Sequence, residues 1–189
     1  MAFQRLVIDG YGQIELNNVA FRRDGRIEAQ CALDATDFAD VHCENGMLLA
    51  VDNVTRTVKF ATDASLPIAL VYTAEHMYDE RTPGLKNFYT KATDDFYPRL
   101  GYLAIGDKYT TNCVGYDPAV DTTWTNDAAV VAALATDKLK ATPVYGGISE
   151  NGAVKLSATK PTEGPVLLAV AATTMPDGQF GVKFQALSV

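Results

Sequence analysis

Short segments in which apolar and polar residues alternate recur along the chain. Alternation with a period of two is typical of a strand with one face in a core, so each segment predicts a β-strand. In one of them, residues 27–31, the alternation places Cys31 on the apolar face. The five segments are residues 13–17, 27–31, 56–60, 154–157 and 182–185.

Three further segments are apolar throughout and predict central strands that are covered on both faces. They are residues 47–51, 66–72 and 166–172. Dipeptides of Asp or Asn followed by Gly separate many of the predicted strands, and they favour turns in which the glycine has a positive φ. Together these patterns predict a mainly β protein with an antiparallel β-barrel or β-sandwich body. The dipeptides are Asp9-Gly10, Asp24-Gly25, Asn45-Gly46, Asn151-Gly152 and Asp177-Gly178.

One segment has the signals of a short helix. Thr125-Asn126-Asp127 offers capping oxygens and an acid for the first turn, and an alanine-rich stretch follows over residues 128–139. Val131, Leu134 and Ala135 would share one apolar stripe, and Pro143 would end the helix. We expect one helix of about three turns.

The chain therefore divides into three predicted parts. A β-rich body covers residues 1–116, a loop and helix cover 117–143, and a small β unit of three or four strands covers 144–189. The last part would bury too little surface to be stable alone. We expect it to dock on the body, so that all three parts pack as one domain, or on a neighbouring subunit.

The composition restricts the classes of partner that we expect the protein to bind. The 189 residues are 48% hydrophobic and carry 16 basic against 23 acidic side chains, for a net charge of −7. This balance argues against nucleic acid and anionic membranes as partners, since both attract cationic surfaces. The longest apolar runs, 128–135 and 166–172, are shorter than the roughly 20 residues that span a bilayer. Residues 1–6 lack a signal-peptide pattern, so we expect synthesis in a cytoplasm.

Candidate chemistry is sparse. The three cysteines show no CxxC spacing, which predicts free and mostly buried thiols. His42 and Cys43 are adjacent and would point to opposite faces of a strand, which argues against a catalytic pair. There is no GxSxG, P-loop or dinucleotide motif. The potential metal ligands are scattered, so the sequence predicts no metal and no cofactor.

Aromatic residues concentrate in one region. Residues 72–116 hold nine of the eighteen aromatic side chains, and seven of the nine are tyrosines. Tyrosine is enriched in protein interfaces, and a long predicted loop over residues 78–97 would suit such a role. The rings could equally fill a β-barrel core, or stack on sugars, although Trp124 lies outside the cluster. The predicted partner-interface residues are Tyr78, Phe88, Tyr89, Phe96 and Tyr97.

Several stretches resemble virion structural proteins of tailed bacteriophages, of the sort found beside the major capsid protein. The stretches are residues 44–52, 72–76, 94–100, 106–112, 175–179 and 182–184. The resemblance implies a non-enzymatic decoration, or cement, protein on the capsid surface of the virion, assembled in the host cytoplasm. It implies the major capsid protein as partner, self-association into a homo-oligomer, and no catalytic residues.

Other functions stay open at this point. The chain could be a tail or baseplate subunit, or a carbohydrate-binding module that uses the tyrosine-rich region 72–116. A hydrolase that uses His76 with Glu75 or Asp79 is a further alternative. Residues Met1 to Ile8 could form an extended arm that adds a strand to a neighbouring subunit.

Overall fold

A computed structural model describes residues 3–6, 8–62, 65–73, 89–94 and 96–189, and within these ranges the fold is mainly β, as predicted. The described part contains fifteen strands, three short α-helices and one 3₁₀ turn at Ala92–Asp94. The helices are α1 (Ala20–Arg23), α2 (Asp127–Ala133) and α3 (Thr136–Ala141). The strands are β1 (Gln4–Arg5), β2 (Ile14–Asn18), β3 (Ala32–Leu33), β4 (Cys43–Glu44), β5 (Leu48–Asp52), β6 (Thr57–Phe60), β7 (Ile68–Val71), β8 (Tyr89–Thr90), β9 (Leu100–Gly101), β10 (Lys108–Thr111), β11 (Val114–Tyr116), β12 (Tyr145–Gly147), β13 (Val154–Ser157), β14 (Val166–Thr174) and β15 (Phe180–Ser188).

The strands form three sheets. The largest is a curled, eight-stranded half-barrel in the order β1-β11-β13-β12-β14-β15-β10-β2. A second sheet has the order β3-β6-β5-β7-β9, and β4 pairs with β8 alone. Neighbouring strands are antiparallel except for the pairs β11–β13 and β3–β6. The four C-terminal strands thus share one sheet with strands from the first 116 residues.

Most of the alternating segments form strands near their predicted positions. Strands β2, β6 and β13 match the predicted segments 13–17, 56–60 and 154–157 to within one residue at each end. The predicted segment 182–185 lies inside the longer strand β15. The prediction for residues 27–31 is wrong. Only an isolated bridge between Ala29 and Leu100 forms there, because the chain turns away to pair β3 with β6. Cys31 is half-buried and packs against a core.

The three apolar runs behave differently from one another. β5 and β7 lie inside the five-stranded sheet and are almost entirely buried, as expected for central strands. β14 is buried only over its first half, and Val170 beyond that point is 37% exposed. The prediction of cover on both faces is therefore wrong for the second half, which extends toward the exposed turn before β15.

The predicted single helix is two helices. Asn126 caps α2 as expected, since its Oδ1 accepts a hydrogen bond from the Ala129 N–H at 3.0 Å. Ala135 then adopts an extended conformation, and Thr136 opens α3. The buried stripe is Val130 and Leu134, four residues apart, whereas Val131 is 39% exposed. The single turn α1, which buries Phe21, was not predicted.

The glycines of all five turn dipeptides have positive φ, as predicted. Their angles are 81° at Gly10, 68° at Gly25, 90° at Gly46, 82° at Gly152 and 93° at Gly178. Only the last of these turns closes a hairpin between long strands, β14 and β15.

Two apolar cores form between these elements. The first lies beneath the eight-stranded sheet, where α2 packs and where Tyr109, Trp124 and Phe184 are buried. The second lies against the five-stranded sheet and includes Phe38 and Met47. None of the described helices is long and apolar enough to cross a bilayer.

Candidate functional site

Three aromatic side chains from distant parts of the sequence form one cluster at the surface, which we call the aromatic patch: Tyr11, His42 and Tyr89. The rings of Tyr11 and Tyr89 stack, with centroids 3.9 Å apart and planes inclined by 18°. The His42 ring meets both edge-on, at 5.0 Å from Tyr11 and 5.5 Å from Tyr89. Tyr89 remains 46% exposed, so the cluster presents apolar ring surface to solvent.

The two-stranded sheet positions two of the three rings. His42 immediately precedes β4, and Tyr89 is the first residue of β8. In the antiparallel register of this sheet, Glu44 lies opposite Tyr89 and Cys43 lies opposite Thr90. The pairing brings His42 and Tyr89 together although they lie 47 residues apart in the sequence.

Tyr11 lies in the connection between β1 and β2, and side chains from elsewhere hold this connection at both ends. The Gly12 N–H donates to Glu44 Oε2 at 2.6 Å, and the Gln13 N–H donates to Asn112 Oδ1 at 2.7 Å. A Cβ at Gly12 would lie 2.5 Å from the Asn45 carbonyl oxygen, so glycine permits this close approach. The backbone after Tyr11 is therefore fixed against β4 and the turn before β11.

The tip of the β14–β15 hairpin forms hydrogen bonds with the connection on the N-terminal side of Tyr11. Gln179 Oε1 accepts a hydrogen bond from the Asp9 N–H at 2.7 Å, and its Nε2 donates to the Asp9 carbonyl at 2.9 Å. Asp177 accepts from Gln13 Nε2 and from Gln179 Nε2. Burial acts to raise the pKa of Asp177, but these hydrogen bonds outweigh it, and the pKa is lowered from its usual value. Residues on both sides of Tyr11 are thus tied to the hairpin tip.

Glu44, which binds Gly12, is itself held by Arg5. Arg5 Nη1 donates to Glu44 Oε1 at 2.8 Å and Nη2 donates to Oε2 at 2.5 Å. The Glu44 side chain is 8% exposed and that of Arg5 is 26% exposed. Burial acts to lower the pKa of Arg5, but the neighbouring Cys113 and the bonded Glu44 carboxylate raise it above its usual value. The patch therefore lies beside a preorganised, bidentate ion pair.

Acidic groups flank the patch. Asp94 Oδ2 accepts a hydrogen bond from the Lys91 N–H at 2.6 Å, which lowers the pKa of the carboxyl, and His42 lowers it further. Burial raises the pKa of Tyr11, assisted by Tyr89 and Glu44. The phenol of Tyr11 is therefore a neutral hydrogen-bonding group beside a carboxylate at physiological pH.

The two thiols nearest the patch are buried. Burial raises the pKa of Cys113 to about 12 and raises that of Cys43 well above its usual value. Cys31 is partly exposed, and all three thiols are free, as predicted. Since the thiolate is the nucleophilic form, Cys43 and Cys113 are chemically inert at neutral pH.

The predicted interface residues fall into different environments. Tyr89 belongs to the aromatic patch, and Tyr97 is equally exposed at 46%. Phe96 is half-buried and packs against the second core. Tyr78 and Phe88 lie outside the described residues. The predicted loop at 78–97 contains, in its described part, strand β8 and a 3₁₀ turn instead.

The remaining tyrosines of the aromatic-rich region serve the interior. Tyr109 and Tyr116 are fully buried in the first core, and the Tyr116 hydroxyl lies 3.0 Å from Asp127 Oδ1. The Tyr72 ring packs on Phe21 with the planes tilted by 42°, and its hydroxyl donates to the Arg26 carbonyl at 2.8 Å. Core filling is therefore confirmed for Tyr109 and Tyr116, whereas surface contact stays a prediction for the exposed Tyr89 and Tyr97.

The sequence did not point to Tyr11 and His42 as partners of Tyr89. A tyrosine after Asp9-Gly10 and a histidine before Cys43 carry no local pattern that joins them. His76, Glu75 and Asp79, the hydrolase candidates, lie outside the described residues. Within the described ranges, no three His, Cys, Asp or Glu side chains gather closely enough to hold a metal ion.

No family model, curated protein or solved structure matches the chain.

Proposed function

We propose that the protein is a non-enzymatic decoration protein that binds the head lattice of a tailed bacteriophage through the aromatic patch. The observation that carries the proposal is the stacked pair of Tyr11 and Tyr89, in which Tyr89 is 46% exposed and Tyr11 half-buried, with His42 at its edge. Tyrosine is one of the residues most enriched among the few that dominate protein–protein binding energy.

Preorganisation supports a role in adhesion. Hydrogen bonds fix Asp9, Gly12 and Gln13 around Tyr11, and strand pairing fixes Tyr89. A partner that binds these rings would lose little conformational freedom on the side of this protein, so more of the contact energy appears as affinity.

The phage assignment rests on the resemblance in the sequence. Two of the resembling stretches, residues 44–52 and 175–179, include Glu44, Asp177 and Gln179, which hold the Tyr11 connection. A stretch shared with virion proteins would thus act on the surface that we propose as the contact.

The partner would be the major capsid protein, and the chain would form a homo-oligomer on the capsid surface. Repeated capsid sites favour symmetric copies of any protein that binds them. The net charge of −7 would keep the bound protein from adhering to the packaged DNA.

The test is to locate the chain in purified particles. Heads and tails are separated, and the chain is quantified in each fraction by mass spectrometry. Purified heads stripped of the chain are then mixed with added protein and sedimented. We expect the chain in the heads and saturable co-sedimentation with stripped heads. Recovery from tails alone would indicate the tail subunit instead, and absence from both fractions would overturn the proposal.

A further inference from the structure

A surface cleft has a lining that shares no residue with the aromatic patch. It is an open cleft of about 580 Å³, within the range of roughly 300–1,000 Å³ that small-molecule sites occupy. Its walls come from β12, β13, the chain after β6, and the connections after β11 and β13. We call it the β13 cleft, because Lys155 of that strand lines it.

Two glycines flank Lys155 in the sheet. In the sheet register Lys155 lies between Gly115 of β11 and Gly147 of β12. A Cβ at Gly115 would lie 2.7 Å from Phe3 Cε1, and one at Gly147 would lie 2.9 Å from Pro161 Cγ. The absence of side chains at both positions lets these two rings pack directly on the sheet, on either side of the half-buried lysine.

The lysines of the cleft form no ion pairs with the described acidic side chains that line it. Lys155 and Lys160 form no ion pair with the described carboxylates that line the cleft, namely Asp117, Glu150 and Glu163. Hydroxyl groups of Thr62, Thr159 and Thr162 add further donors and acceptors.

The two lysines and three acidic residues of the cleft together indicate which class of ligand it could bind. A small anion would meet three carboxylates, and a small cation would meet two ammonium groups, so neither is favoured overall. A neutral polyol can accept hydrogen bonds from the lysines and donate hydrogen bonds to the acids at the same time. Its C–H faces would cover the apolar wall that Phe3, Val120, Ile148 and Pro161 provide. A pyranose has this combination of faces and hydroxyls.

From this geometry we infer that the β13 cleft binds a neutral saccharide, with Lys155 and Glu163 as hydrogen-bonding partners from opposite signs of charge. The inference is independent of the capsid role, since the cleft shares no lining residue with the aromatic patch. It also differs from a carbohydrate module built on the tyrosine-rich region, because Phe3 and Pro161 supply the rings.

The test uses the full chain and a panel of neutral methyl glycosides, with glucuronate and glucosamine as charged comparisons. Binding is detected by saturation-transfer NMR and quantified by titration. We expect at least one neutral glycoside to bind at millimolar concentration. Lys155→Met and Glu163→Gln should each weaken it roughly tenfold, the effect of losing a hydrogen bond to a charged group. Lys138→Met, on the exposed face of α3, should not change it.

Thermal unfolding of each variant reports whether it folds. If Lys155→Met does not fold, Lys160→Met at the exposed rim replaces it. No binding by any neutral glycoside would overturn the inference. So would tighter binding of a charged sugar than of its neutral counterpart, or binding that Tyr89→Ala abolishes and Lys155→Met leaves intact.

Discussion

Arg5 and Glu44 lie 39 residues apart in the sequence and meet in a bidentate ion pair, with N–O distances of 2.8 and 2.5 Å. Glu44 Oε2 also accepts the N–H of Gly12, beside Tyr11. One carboxylate therefore joins the edge strand β1, strand β4 and the connection that carries a ring of the aromatic patch. Both stability and the shape of the patch depend on it.

Removing the guanidinium should therefore be costly. We expect Arg5→Met to lower the free energy of unfolding by about 3 kcal/mol, because it leaves the Glu44 carboxylate buried without its partner. Urea unfolding measures the change. Arg26→Met serves as control, since Arg26 pairs with Asp24 and Glu28 at the surface and should cost less than about 1 kcal/mol. Equal losses for the two variants would contradict this account.

The aromatic patch should dominate binding to heads. Tyr89→Ala should weaken co-sedimentation with stripped heads by about 2 kcal/mol, or roughly 30-fold, because it removes one of two stacked rings. Tyr97→Ala is the matched control, since both tyrosines are 46% exposed but only Tyr89 belongs to the patch. A larger loss for Tyr97→Ala would shift the contact surface away from the patch.

Acid should weaken the hold of the hairpin tip on the Tyr11 connection. The lowered pKa of Asp177 means that its carboxylate stabilises the folded state above its unfolded pKa of about 3.9. That contribution is lost as the pH falls through the lower folded pKa. We expect Asp177→Asn to be less stable than wild type at neutral pH, and the two to converge in strong acid. Urea unfolding across this pH range tests it, and a difference that does not vary with pH would refute it.

The thiols should differ in reactivity. In the native protein at neutral pH, iodoacetamide should modify partly exposed Cys31 well before Cys43 and Cys113, whose pKa values burial raises. Mass spectrometry of digested protein measures the labelling of each site. In urea all three should react at comparable rates. Rapid labelling of Cys113 in folded protein would show that its burial is incomplete.

The helical segment offers a test of its packed face. Leu134→Ala should lower the free energy of unfolding by about 2–5 kcal/mol, because the buried side chain leaves a cavity in the first core. Val131→Ala, at an exposed position, should change it by roughly 0.5 kcal/mol or less. A loss for Val131→Ala as large as that for Leu134→Ala, measured by urea unfolding, would favour the stripe predicted from the sequence.

Comparison of prediction and structure shows where local patterns fail. The helix signal at Asn126 was correct because capping involves atoms within three residues. The predicted stripe was correct at Leu134 and wrong at Val131, since Val130 is the buried valine of α2. Only the packing of the helix against the first core decides which face is buried. Residues 27–31 alternate as a strand would, yet Ile27 is 46% exposed and only an isolated bridge between Ala29 and Leu100 forms. A strand needs a partner strand, which the alternation does not specify.

The aromatic-rich region also shows what a sequence pattern leaves undecided. An excess of tyrosine over residues 72–116 predicts a contact surface, and Tyr89 is an exposed member of the aromatic patch that we propose as that surface. Tyr109 and Tyr116 carry the same compositional signal but fill the first core. Composition gives the number of aromatic side chains but not whether each points into the core or toward solvent. It therefore cannot separate the buried tyrosines from the exposed ones.

The sequence by itself determined the mainly β class, the turns and the helix cap, since each follows from sterics and hydrogen bonds among residues close along the chain. The tertiary structure alone decided that Tyr11, His42 and Tyr89 meet, that Arg5 finds Glu44, and that Lys155 lies in a cleft between two glycines. These contacts join segments that are distant in sequence, and they depend on strand order and register, which no local pattern encodes.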